Sequence, residues 1–141
     1  MEAELNGIEA VERVEINGDR KHLHVDVYTQ YTDNLPELVT EIDRILSAQV
    51  KQEYTFDLHD HRNEKIEAFF REVEPAVYEG ARVGNYRSIQ ETVANIASEH
   101  SIDEYYFSVD HQYVYLQVKD GDNYLFVVIP HFRSIEEDKL S

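Results

Sequence analysis

The sequence predicts an α+β fold: a mostly antiparallel sheet, made of an N-terminal hairpin and a C-terminal three-strand meander, with about three helices packed on it. Three observations lead there. Apolar residues alternate on either side of Asn17-Gly18, a dipeptide suited to tight hairpin turns. Seven apolar residues recur at helical spacing from Leu35 to Val50. Three alternating segments follow one another closely between Glu104 and Pro130. Strands at both ends with helices between them fit helices laid on one face of a sheet better than an alternating parallel fold.

The elements follow in order. Val11, Val14 and Ile16 lead into Asn17-Gly18, and Leu23, Val25 and Val27 follow it, alternating with His22, His24, Asp26 and Tyr28. Period two puts both histidines on the polar face of a half-buried strand. A helix then carries Leu35, Leu38, Val39, Ile42, Ile45, Leu46 and Val50 on one stripe, opened by Asn34 with Glu37 three residues on as a capping pair. "EYTFDLHD" reads as a strand with Tyr54, Phe56 and Leu58 on one face. A second helix begins with Ile66, Phe69, Phe70 and Val73; Pro75 should kink or restart it, and Gly80 and Gly84 should end it. A third carries Ile89, Val93, Ile96 and Ala97, with Ser88 and Glu91 as its capping box. Asp120-Gly121 turns the last two strands, and Pro130 stops the pairing. The boundaries expected are a single domain over 1–134 and a polar tail over 135–141.

Composition excludes several functions. The chain of 141 residues has no cysteine, so a disulfide scaffold, a thiolate zinc site, an iron–sulfur cluster and a cysteine nucleophile are all ruled out. That fits a reducing cytoplasm. The acidic N-terminus lacks the basic and apolar regions of a leader, and no apolar run approaches the roughly 20 residues of a membrane helix. Acidic residues number 29 against 13 basic ones, a formal net charge of −16. A phosphate backbone would be repelled, so direct nucleic-acid binding is not expected. Such acidity fits a strongly solvated surface, as in a halophilic host, or an acidic face for a basic protein partner. Arginine outnumbers lysine, which leans toward the former. The sequence has no P-loop, no G-x-G-x-x-G and no G-x-S-x-G elbow, and the Glu136-Glu137 pair falls in the expected tail, where nothing would raise a pKa.

One short stretch carries metal chemistry. In "FDLHDHRNE", Asp57, His59 and His61 alternate, so a strand would present all three on one face. Imidazole and carboxylate suit zinc, iron, nickel or manganese, and His22 or His24 from a neighbouring strand would complete such a site. The D-x-H-x-H string resembles the opening strand of metal-dependent amidohydrolases and of polymerase-and-histidinol-phosphatase hydrolases. Those families need a far larger barrel and further ligands, which the remaining sequence does not supply. The strand–strand–helix–strand order of the first sixty residues resembles half of a ferredoxin-like fold. In topology it also looks like the cytosolic domain of cation-efflux transporters, which likewise ends in a His-bearing strand. Against a metal stands a plain alternative: a solvated strand end, with Asp60 or Asn63 capping the next helix.

Tyrosines suggest a contact surface. On the meander, Val114, Leu116, Val118, Leu125, Val127 and Ile129 face one way and Tyr113, Tyr115, Tyr124 and Phe126 the other. The second face can bind a protein partner or a second copy of the chain, or its rings can brace each other across strands. The expectation is therefore a small acidic protein without enzymatic activity or cofactor, acting through protein contacts and as a homodimer through that sheet. The alternative is a protein that uses Asp57, His59 and His61 with a divalent transition metal.

Overall fold

A computed structural model describes residues 1–130 of the chain. The expected polar tail over 135–141 lies outside the described residues. The class is α+β: the described residues form four helices and two three-stranded sheets, with three of the four strand pairings antiparallel. The chain divides into two compact units, Met1–Asp60 and a second beginning at His61. Each holds one of the two sheets, where a single sheet had been expected. No described helix is long and apolar enough to cross a membrane.

The first unit runs α1 (Glu2–Asn6), β1 (Val11–Gly18), β2 (His22–Thr29), α2 (Leu35–Gln49) and β3 (Glu53–His59), with sheet order β1-β2-β3. The hairpin turn lies beyond Asn17-Gly18, because those two residues still pair with His24 and Leu23. Asp19 makes the turn instead. Its Oδ1 accepts the backbone N–H groups of Lys21 and His22 at 2.8 and 3.0 Å, an arrangement that short carboxylate side chains favour. α2 starts where expected, with Asn34 Oδ1 accepting the Glu37 N–H at 3.2 Å. It buries Leu35, Leu38, Val39, Ile42, Ile45 and Leu46, and Val14, Val25 and Val27 are buried on the strands. Because α2 carries the chain back along the sheet, β3 returns parallel to β2, as a crossover through a helix allows.

The second unit runs α3 (Glu64–Val83), α4 (Tyr86–Glu99), β4 (Glu104–Val109), β5 (Tyr113–Asp120) and β6 (Asn123–Pro130), with sheet order β4-β5-β6. Its core joins Ile66, Phe69, Val73 and Val77 of α3 and Ile89, Val93 and Ala97 of α4 to Val114, Leu116, Val118, Leu125, Val127 and Ile129 of the strands. α3 does not restart at Pro75 but runs through it. Pro75 is exposed, so water can satisfy the carbonyl one turn back that a proline cannot serve. Gly80 does not end the helix either; it lies buried within it. Gly84 does, with φ 76°. α4 begins one turn before the expected capping box: Asn85 is its cap and accepts the Ser88 N–H at 3.1 Å. The β5–β6 turn has Gly121 at φ 62° in its first central position, a conformation open to glycine and strained for other residues.

Candidate metal centre

The site forms on the polar face of the first sheet. In the parallel register His24 lies beside Thr55, Asp26 beside Asp57 and Tyr28 beside His59. Alternation sends Val25 and Val27 into the core and leaves His24, Asp26, Asp57 and His59 on the opposite face. The ligand atoms of His24, Asp26 and Asp57 all lie within 4.8 Å of one another. His24 Nε2 is 3.3 Å from Asp26 Oδ1 and 3.3 Å from Asp57 Oδ2. On its other side, His24 Nδ1 is 2.8 Å from Thr55 Oγ1.

His59 stands next to this group rather than inside it. Its Nε2 lies 2.9 Å from Asp26 Oδ1. The ring stacks on Tyr28 with centroids 4.5 Å apart, and the Arg13 guanidinium lies 3.6 Å over the other ring of that stack, Tyr28. The hydrogen bond from His59 holds the Asp26 carboxyl below its usual range; partial burial opposes this, and His24 adds to the lowering. Asp26 is therefore ionised at neutral pH, the form a metal ligand requires. The Asp57 side chain is 70% exposed, against 33% for His24 and 21% for Asp26. The group is open to solvent on the Asp57 side.

Of the five expected ligands, the fold brings His24 and Asp57 together and sets His59 beside them through Asp26. His22 is one hydroxyl away: its Nε2 is 3.1 Å from Thr55 Oγ1. His61 lies beyond the strand, which corrects the reading of Asp57, His59 and His61 as one strand-borne triplet. β3 ends at His59, and His61 opens the second unit, where its carbonyl accepts the Tyr124 N–H at 2.6 Å and its ring meets that of Tyr124. Asn63, the expected alternative cap, does cap α3 by accepting the Ile66 N–H at 2.9 Å. Asp26 was the member of the group not anticipated. It follows His22 and His24 at period two, and only the parallel register of β3 turns that pattern into a partner for Asp57.

The aromatic face of the second sheet is not the open surface expected. Tyr115, Tyr124 and Phe126 are buried at 1, 3 and 4% exposure, and Tyr113 is half-buried. The rings pack in pairs, Tyr113 with Tyr115 and Tyr124 with Phe126. Burial of a tyrosine calls for a partner at its hydroxyl, and Tyr115 donates to Asp110 Oδ2 at 2.6 Å. Exposed tyrosines stand elsewhere, at Tyr105 and Tyr106 on β4 among others. The first unit also has an open cleft of about 840 Å³, whose lining includes Glu9, Asp33, Glu37, Glu41 and Arg44. None of the His24, Asp26 and Asp57 group lines it. Comparison with protein-family models, with characterised proteins and with solved structures finds no match to this chain.

Proposed function

We propose that this protein binds a divalent transition-metal ion through His24, Asp26 and Asp57. One observation carries the reading: three ligand atoms of metal-binding type, from two adjacent strands, converge within 4.8 Å. Ligands about 2.1 Å from a tetrahedral ion lie about 3.4 Å from each other. The two 3.3 Å separations around His24 Nε2 match that edge, and the third lies within 4.8 Å. One imidazole and two carboxylates suit zinc, manganese, iron or cobalt and offer nothing to soft copper(I). Solvent access beside Asp57 leaves the remaining coordination positions to water. A net charge of −16 raises the local concentration of cations around the chain.

The test is a thermal melt of chelator-treated protein with and without Zn²⁺ or Mn²⁺. An ion at a hundred times its dissociation constant adds about 2.7 kcal/mol to stability. The shift should vanish in the His24→Ala, Asp57→Asn double variant and persist in His61→Ala. A parent protein whose melting ignores all such ions would end this reading.

A further inference from the structure

We infer that Thr55 is a positioning residue for the metal site, presenting His24 to the ion through Nε2; this rests on the metal reading above. Thr55 Oγ1 lies between two imidazoles, 2.8 Å from His24 Nδ1 and 3.1 Å from His22 Nε2. The placement comes from the sheet ladder itself, because Thr55 is the parallel-register partner of His24. A hydroxyl has one proton to donate and lone pairs to accept with. When Nε2 of His24 takes an ion, the single ring proton of the neutral imidazole must sit on Nδ1. There it donates to Thr55 Oγ1, and the Thr55 proton turns to His22 Nε2, leaving the ring proton of His22 on Nδ1. Each ring holds one proton in this arrangement, so the tautomer shift itself neither gains nor loses a proton.

Such outer partners fix the tautomer and the ring orientation of a ligating histidine. Without the Thr55 hydroxyl, His24 can rotate about its ring axis or bind through the other nitrogen. His22 thereby gains a role its sequence position alone does not explain: it is the far end of the relay and not a ligand. Threonine also suits the strand, so its hydroxyl, and not its backbone preference, is the part unaccounted for by folding.

The test uses the full chain with Zn²⁺ as the probe. Calorimetric titrations compare the parent with Thr55→Val, which keeps the shape and strand preference and loses the hydroxyl, and with Thr55→Ser, which restores it. Long-range proton–nitrogen spectra read the His24 tautomer. The expected result is about tenfold weaker Zn²⁺ binding in Thr55→Val, recovery in Thr55→Ser, and a zinc-loaded parent whose His24 carries its proton on Nδ1. Parent-like affinity in Thr55→Val, failure of serine to restore it, or zinc bound through His24 Nδ1 would overturn the role of Thr55 while leaving the metal reading intact. A parent that takes up no Zn²⁺ would overturn both.

Discussion

Replacing Gly80 by alanine should destabilise the protein, although alanine is the better helix former. Gly80, buried within α3, faces Ile89 of α4. A methyl group there would sit 2.3 Å from Ile89 Cγ1, 2.8 Å from Ile89 Cδ1 and 3.2 Å from the Asn85 carbonyl oxygen. Carbon atoms pack at about 3.5–4.0 Å, so Ile89 or a whole helix must retreat by more than about 1 Å. Ile89 is 1% exposed and surrounded by the core, so it has no open side to move toward. Alanine returns up to about 1 kcal/mol of helix propensity, while overpacking costs about 1–3 kcal/mol. A contact this short belongs at the upper end, which leaves a net loss of about 1–2 kcal/mol. A double-mutant cycle isolates the cause. Ile89→Ala alone should cost about 2–5 kcal/mol. In the Gly80→Ala background it should cost at least about 1 kcal/mol less, because the new methyl enters the vacated space. Urea unfolding followed by circular dichroism measures all four corners, with midpoints compared at equal slope. A Gly80→Ala variant more stable than the parent, or additivity within about 0.5 kcal/mol, would refute the steric argument.

Three further outcomes follow from the same structure. Burial pushes the Asp110 carboxyl up, but hydrogen bonds from the Tyr115 hydroxyl and the Gln112 and Tyr113 N–H groups outweigh it and hold the carboxyl below its usual value. Its contribution to stability is therefore present above the unfolded carboxylate pKa and lost as pH falls through the folded one; Tyr115→Phe should shrink this acid-side loss, lower stability by about 1–2 kcal/mol and raise the Asp110 carboxyl pKa in carbon-detected titrations. Burial, reinforced by Asp43, raises the Tyr54 hydroxyl from 10.0 to about 12, so it stabilises the fold fully below pH 10 and the gain fades as pH rises through about 12; ultraviolet titration of the parent against Tyr54→Phe should show one late-ionising tyrosine. With a net charge of −16, self-repulsion is screened over about 8 Å at physiological salt and about 3 Å at 1 M, so the melting temperature should climb as potassium chloride is added, and a flat response would count against the charge argument.

What the sequence made legible was local. The stripe from Leu35 to Leu46, the Asn34 and Asn63 caps, the Gly84 stop and the two-sided alternation of β2 and β5 are all written within a few residues of themselves. The partnerships between distant segments were not. Nothing in "EYTFDLH" states that it pairs parallel to β2, and that register alone makes Asp26 a neighbour of Asp57. His61 continued the alternation of Asp57 and His59 on paper, but period two has meaning only while the strand lasts, and β3 stops at His59. Tyr115 and Phe126 faced away from the helices as the pattern required. Alternation assigns a side to each residue and is silent about what covers that side, so their burial was invisible. Gly80 resembled a helix stop because glycine serves both as a stop and as a point of close approach. Only the presence of Ile89 across the helix pair distinguishes the two uses.

The parallel register sets Asp26 directly beside Asp57, and like charges facing each other across strands weaken a sheet. Asp57→Asn should thus yield a sturdier apo-protein that has become blind to metal, so that resistance to unfolding and capacity for an ion pull against each other at a single residue. If the proposed ion binds, it would offset that repulsion, so the cohesion of this strand pair should depend on the supply of cations.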